Sequence, residues 1–220
     1  MLLAVDTSTA QVGLALYDGA CIVGEFAWRS SQRHTVELAP AVADLLTRCG
    51  VKMDDVQALG VALGPGSFTS LRVGLALVKG LVLSRHLPLI GIPTLDILAH
   101  AQPPGRHPLL CAIQAGRGRF ALGVYKNSRK GWQAQGSGRV VSLDALMAEA
   151  QEPAVVCGEF SSEEVQQMKD AGVRLASPAA SVRRPAALAE LAWVRWQAGD
   201  MDDEASLAPI YLHTDGSPPV

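Results

Sequence analysis

The spacing of apolar positions switches repeatedly between short continuous runs and a period near 3.6 residues. Leu2–Val5 is an apolar run closed by the polar stretch Asp6-Thr7-Ser8-Thr9, which reads as a buried strand followed by a turn. Val12–Tyr17 and Cys21–Trp28 flank Asp18-Gly19, a two-residue hairpin signal, so three antiparallel strands come first. From about Thr35 to Cys49 the helical period takes over, with Leu38, Ala39, Val42, Leu45, Leu46 and Cys49 on one face. Gly50 ends that helix, and Pro40 removes a backbone hydrogen bond and bends its first turns. Ala58–Leu63 is a second buried strand, broken by Gly64-Pro65-Gly66 and followed by a helix that Ser67 or Thr69 can cap. A short strand at Leu89–Ile92 leads to a helix capped by Thr94.

Gln102-Pro103-Pro104-Gly105 reads as a linker. Beyond it, Leu109–Gln114 and Phe120–Tyr125 are strands joined by a Gly-Arg-Gly-Arg turn, and a third strand is expected around Trp132–Val141. Ser142 caps a helix to Ala150, Val155–Cys157 is a strand, Ser161–Ala171 a helix, and Arg184–Ala198 a longer helix with Pro185 in its first turn. The apolar tail Ala208–Leu212 is expected to pack back, and Gly216–Pro219 to fray. Both halves start with strands joined by short turns and go on to alternate helices and strands. The pattern predicts an α/β protein of two related domains, 1–102 and 103–220, with ligands at the turns where strands end.

The helix after Gly-Pro-Gly is apolar on nearly every side. Phe68, Leu71, Leu75, Val78 and Val82 make a core face, while Val73, Ala76, Leu77, Gly80, Leu81 and Leu83 cover most of the rest. Only Ser70, Arg72 and Lys79 interrupt it. A helix apolar all round is buried all round. Its second face therefore meets either another part of the chain or another protein, and Ala76 and Gly80 permit close helix approach there.

Charge narrows the partners. The 220 residues carry a net charge of −2, and each half is close to neutral, unlike a nucleic-acid binder acting alone. Locally, Arg106 to Arg139 holds seven basic residues and no acidic one. A solvated hairpin face is the plainer reading and a polyanion contact the sharper one. Cys21, Cys49, Cys111 and Cys157 are scattered without a C-x-x-C pair and read as packed thiols of a reducing cytoplasm. Met1–Val5 is too short and lacks the positive leader of a signal peptide, and no run approaches membrane-spanning length.

The Gly-rich turn lacks the Gly-Lys-Ser/Thr ending of a P-loop. Among His34, His86, His100, His107 and His213 no pair has ligand spacing, so no metal is expected. Gly66-Ser67-Phe68 is not a nucleophile elbow. Asp6-Thr7-Ser8-Thr9, the stretch Gly64–Gly74 and Pro209-x-Tyr-Leu together resemble the TsaB (YeaZ) family of bacterial tRNA threonylcarbamoyladenosine biosynthesis proteins. The resemblance covers nearly the whole chain. It departs at Ser70, where the family usually has glycine, and at Gln114 and Gly116, where the family more often has the aspartate and arginine of Asp-Ala-Arg.

The resemblance implies two similar actin-like, sugar-kinase and Hsp70-like domains, the first carrying partner-binding helices. It implies a non-catalytic subunit that binds and activates TsaD in threonylcarbamoylation of tRNA adenosine 37, with TsaE in the assembled complex and tRNA engaged through it. It also implies homodimerisation when alone. The expected interface is Val36, Pro40, Ala43 and Thr47 on the first helix with Val73, Ala76, Leu77 and Gly80 on the second. Asp6, Thr7, Ser8 and Thr9 correspond to a vestigial phosphate turn, with no catalytic residue or required cofactor, and a nucleotide in the assembled complex left open. The alternative is a stand-alone small-molecule kinase or ATPase of the same fold, with Asp6 orienting a metal-bound water. Such an enzyme needs a second carboxylate or lysine from the other domain, and Gln114 stands at the corresponding strand end.

Overall fold

The computed structural model describes residues 1–31, 33–151 and 153–212. They form two units: Met1–Ile97 with Arg184–Ile210, and Leu98–Arg183 with Tyr211 and Leu212.

The first unit is built on a five-stranded sheet of order β3-β2-β1-β4-β5. Its strands are β1 (Leu2–Asp6), β2 (Gln11–Tyr17), β3 (Ile22–Arg29), β4 (Ala58–Gly64) and β5 (Leu89–Pro93). β1 runs antiparallel to β2 and parallel to β4, with Val5 opposite Leu14 on one side and Val61 on the other. The β2–β3 connection is four residues, Asp18–Cys21, rather than the two the Asp-Gly pair suggests. Its geometry is set by the Asp18 carboxylate, which accepts from the Cys21 N–H at 2.6 Å and the Ala20 N–H at 2.8 Å. The same two bonds hold that carboxyl below its ordinary range.

Alternation along the strands sends Leu3, Val5, Leu14, Leu16, Leu59 and Val61 to one face. There they meet Leu38 and Leu45 of α1 (His34–Arg48) and Leu75 and Val78 of α2 (Phe68–Arg85). The opposite face carries small residues and receives α6 (Pro185–Gln197). A β-carbon at Gly60 would lie 2.8 Å from Ala192 Cβ, and one at Gly13 would lie 2.8 Å from Pro185 Cγ. Close helix-to-sheet approach is thus written into Gly13 and Gly60. The Glu25 carboxylate of β3 sits at the start of α6, accepting from Arg184 Nε at 3.2 Å and Ala186 N–H at 3.1 Å. Burial by itself raises the Glu25 carboxyl, but the Arg184 and Ala186 hydrogen bonds outweigh it and hold the group below its usual range.

The structure corrects the division at Gln102. α6 was expected in the second domain, yet it packs on β1, β2, β4 and β5 of the first. The hydrophobic period of a helix says that one face is buried, not against which sheet. Gln102–Gly105 is also no loose linker. Gln102 is buried, its side-chain amide donates to Leu98 O at 3.2 Å and also to Ala180 O, and its carbonyl accepts from Trp132 Nε1 at 3.2 Å. The tail does pack back: Ile210 N–H donates to Leu63 O at 2.7 Å. Residues Gly216–Pro219, expected to fray, lie outside the described residues.

The second unit contains α3 (Thr94–His100) in part, β6 (Leu109–Gln114), β7 (Arg119–Ser128), β8 (Gly131–Ala134), β9 (Arg139–Ser142), α4 (Leu143–Glu149), β10 (Val155–Gly158) and α5 (Ser162–Asp170). Its sheet runs β10-β6-β7-β8, with β9 also paired to β7. The single strand expected around Trp132–Val141 is two, because β7 is long enough to pair β9 with its first half and β8 with its second. β6, β7, β8 and β10 repeat the order and directions of β1, β2, β3 and β4. The duplication read from the sequence is therefore present as topology. Leu110, Phe120, Leu122, Leu146, Val156 and Met168 form this unit's core.

Candidate protein interface and the turn behind it

α1 buries Leu38, Val42, Leu45 and Leu46 against the sheet. Its other side presents Val36, Pro40, Ala43 and Thr47, all exposed, with Val36 at 62%. α2 packs beside it and buries Leu71, Gly74, Leu75, Val78 and Val82. On α2, Val73 and Leu77 are half-buried and Ala76 and Gly80 exposed. All eight residues read from the sequence as an interface thus lie on accessible surface of these two helices. Phe68 does not take its expected place in the core. It is 53% exposed, with the Arg72 guanidinium stacked 3.7 Å from its ring centroid. A groove of 480 Å³ runs between the helices, lined mainly by Leu38, Phe68, Arg72, Val73, Ala76 and Leu77.

The two glycines inside α2 differ in what they serve. A β-carbon at Gly74 would lie 2.2 Å from Thr7 Oγ1, so glycine is required there by the chain's own packing. At Gly80 nothing lies within 4 Å. A glycine inside a helix costs about 1 kcal/mol relative to alanine, and nothing within the described chain accounts for it at this position.

Behind α2, the carboxyl ends of the parallel strands β1, β4 and β5 converge, the place where open α/β sheets bind ligands. Here the chain fills that place itself. Asp6, Thr7, Ser8 and Thr9 are all buried. Thr7 Oγ1 donates to Ser70 O at 2.7 Å, and Ser8 Oγ lies 2.7 Å from Thr94 Oγ1, which accepts from Gly64 N–H at 2.9 Å. Ser8 O accepts from Ser67 N–H at 2.7 Å, and a β-carbon on Gly66 would lie 2.2 Å from that same oxygen. The Asp6 carboxylate accepts from Ser8 N–H at 2.8 Å, and Thr9 O lies 3.1 Å from His34 Nε2. Thr7, Ser8 and Thr9 thus tie both helices to the sheet, and Asp6 holds the turn itself. Ser70 joins this network: its hydroxyl and N–H both face Ser67 Oγ, at 3.0 and 3.5 Å, completing the α2 cap.

Close by, hydrogen bonds from Ser30 and from the Trp28 indole hold the Glu37 carboxyl of α1 below its ordinary range. In the second unit, Gln114 ends β6 and its side-chain amide donates to both oxygens of Glu164, each at 3.2 Å. An aspartate in its place would set two carboxylates against one another. Gly116 and Arg117 occupy the exposed turn that follows, at φ 79° and 53°. Among the described residues, no group of three or more His, Cys, Asp or Glu is placed to hold a metal ion. No helix among them is long and apolar enough to cross a membrane.

Sequence reasoning missed three features. Thr94, read as a cap, bridges Ser8 and Gly64. Cys111 and Cys157 sit in register on neighbouring parallel strands with sulfurs 3.5 Å apart. Arg183 is buried and pairs with Glu159. Each depends on a long-range pairing that no local spacing encodes.

A family model described as TsaD, tRNA N6-adenosine threonylcarbamoyltransferase, matches residues 27–179. The chain is 34% identical over 137 residues to the tRNA threonylcarbamoyladenosine biosynthesis protein TsaB of Escherichia coli K12, covering 61% of this chain and 59% of that one. It is 35% identical over 128 residues to TsaB of Bacillus subtilis 168, covering 57% and 55%. The chain therefore spans less than two thirds of the length of these curated relatives. Among solved structures, YeaZ from Pseudomonas aeruginosa superposes with a TM-score of 0.75 at 25% identity, covering 95% of this chain and 99% of that one.

Proposed function

Because the chain belongs to the family of TsaD, tRNA N6-adenosine threonylcarbamoyltransferase, and its curated relatives carry the name TsaB, we propose that it is the non-catalytic subunit that binds and activates TsaD in the threonylcarbamoylation of tRNA. The observation that carries the proposal is the α1–α2 face. Val36 of α1 and Phe68 of α2 are 62% and 53% exposed, and Phe68 lines a groove with Leu38, Val73, Ala76 and Leu77. Exposed large apolar side chains gathered on one face mark an interaction site. TsaD meets it with its own equivalent helices, forming a four-helix contact. We infer that the same face also takes a second copy of the chain when TsaD is absent, as an isologous contact.

The engagement of the Thr7 and Ser8 hydroxyls by Ser70 O and Thr94 supports a structural use of the first turn over phosphoryl transfer by this chain. TsaE completes the assembly and tRNA is engaged in it. The test is reconstitution: TsaD, TsaE, the threonylcarbamoyl-AMP donor and unmodified tRNA, with and without this chain. Transfer is expected to depend on the chain, and the chain alone is expected to turn over neither ATP nor donor. Transfer at an equal rate in its absence, or ATP turnover by the chain that Asp6→Ala abolishes, overturns the reading.

A further inference from the structure

The acid-free basic run of the second unit does not form one patch. β6 and β7 are antiparallel with Leu109 opposite Tyr125 and Gln114 opposite Phe120. Arg117 and Arg119 therefore sit at one end of β7, and Lys126, Arg129 and Lys130 at the other, roughly 24 Å away at the rise of an extended strand. Arg139 pairs with Glu149 and leaves the count. The second end gathers more charge than the hairpin alone. Trp132 of β8 stands opposite Asn127 and donates from Nε1 to Gln102 O at 3.2 Å. Its ring lies 3.4 Å from where a β-carbon on Gly105 would be. That contact brings Arg106 and His107 to the hairpin. The β7–β8 turn is itself fixed, since Lys130 N–H donates to Ser128 Oγ and Ser128 Oγ to Gly131 O, both at 3.0 Å.

Arg106, His107, Lys126, Arg129 and Lys130 are all exposed. Among the described residues none of them has an ion-pair partner, and the sequence holds no acidic residue between Asp96 and Asp144. The hairpin end carries exposed cations at its tip and on both faces: Lys126 shares one face with Gln133, Asn127 and Trp132 share the other, and Arg129 and Lys130 sit at the turn. That is the chemistry of phosphate-backbone contact.

We propose that the β7–β8 hairpin end, with Arg106 and His107, docks the phosphate backbone of structured RNA. That this RNA is tRNA rests on the functional reading above; the surface itself does not. The surface lies at the end of the sheet away from the carboxyl termini of β6 and β10, and it shares no residue with the α1–α2 face.

The experiment measures binding of an unmodified tRNA transcript to the full chain by fluorescence anisotropy across a salt series, with circular dichroism as the folding control. Lys126→Glu/Arg129→Glu/Lys130→Glu is expected to lower affinity at least ~10-fold at low salt and to reduce the slope of log affinity against log salt by about 2–3, one phosphate per lost cation. Arg117→Glu/Arg119→Glu, at the far end of β7, is expected to leave both unchanged. No tRNA binding by the wild-type chain at low salt, retained affinity in the hairpin variant, or an equal loss in the far-end variant overturns the proposal. So does hairpin-dependent binding of phosphatidylglycerol vesicles with tRNA affinity unaffected. TsaD association is measured separately on the same variants. If TsaD fails to bind even the wild-type chain, the functional reading falls while the tRNA arms still decide this one.

Discussion

Leu77→Glu separates what the α1–α2 face does for this chain from what it does for a partner. Leu77 is half-buried, packed against the first unit's core and lining the groove between α1 and α2. In the isolated chain the glutamate can turn its carboxylate to water. The loss is then about half the transfer energy of a leucine, roughly 1 kcal/mol. A chain of this length has stability on the order of 10 kcal/mol, so the variant stays folded. In a four-helix contact the same position closes over. The remaining apolar burial, about 1 kcal/mol, is lost, and the carboxylate is either taken from water without a counter-ion or protonated at neutral pH, which adds several kcal/mol. A total near 4 kcal/mol weakens association roughly 1000-fold. Isothermal titration of TsaD into the chain, alongside sedimentation of the chain alone, reads both contacts. The expected result is a folded monomer with no measurable TsaD binding. Val194→Glu, on an α6 residue that is 68% exposed, is the control and keeps wild-type affinity. Leu77→Glu binding TsaD within a few-fold of wild type would show that the groove faces solvent in the complex and that the argument from its apolar lining is wrong.

Gly80→Ala should raise the melting temperature of the isolated chain, since no atom lies within 4 Å of the added carbon and alanine is worth about 0.5–1 kcal/mol over glycine in a helix. It should also weaken TsaD binding in the same titration, and a variant improved in both shows that no helix approaches there. Gly74→Ala puts its carbon 2.2 Å from Thr7 Oγ1, displaces the hydroxyl from Ser70 O, and should cost about 1–3 kcal/mol, or several degrees of melting temperature by calorimetry. The Glu25 carboxyl is depressed on folding, so its contribution is complete above the carboxyl range of the unfolded chain and disappears as pH falls through the folded value. Glu25→Gln should therefore lower the urea midpoint at neutral pH and converge with wild type in acid, and an equal loss at every pH contradicts the assignment. Gln114→Asp places a second carboxylate against Glu164, whose oxygens are each 3.2 Å from the present amide. It should destabilise at neutral pH, with the loss fading as acid protonates the pair, in the same urea series.

Much of the architecture was legible because it is written in local periodicity. The first meander, the β6–β7 hairpin, α1, α2 and the Ser142 cap all follow from the residues within a few positions of them. What was not legible is which surfaces meet. Nothing about the pattern of Pro185–Gln197 says that it returns to the first sheet; that depends on Gly13 and Gly60 clearing space far away in sequence. Phe68 fits the core stripe of α2 by spacing, but it is the first helical residue after Ser67, beyond the edge of what the sheet covers. The accessibility of the eight residues proposed as an interface was readable because they are what remains of the two helices once the core faces are subtracted. The Thr7–Ser70 and Ser8–Thr94 bonds were not, since a threonine in a turn reads alike whether it faces a ligand or a neighbouring helix.

The duplication gives one further step. Asp6 ends β1, and Gln114 ends the topologically equivalent β6. In a phosphotransferase of such a frame each of these ends must offer donors or a carboxylate to a ligand. In the first unit the hydroxyls after Asp6 are buried against Ser70 and Thr94. In the second, Gln114 donates to Glu164 of α5, and the turn after it is exposed through three successive residues of positive φ, at Gly116, Arg117 and Gly118. The two ends differ: the first is closed by its own side chains, and at the second the Glu164 carboxylate holds Gln114 beside an exposed turn. Under the proposed reading, phosphate chemistry would require changes at both, whereas weakening the proposed α1–α2 contact takes one side chain. That asymmetry is why the accessible apolar face, rather than the strand ends, is where substitutions are expected to change what this chain does.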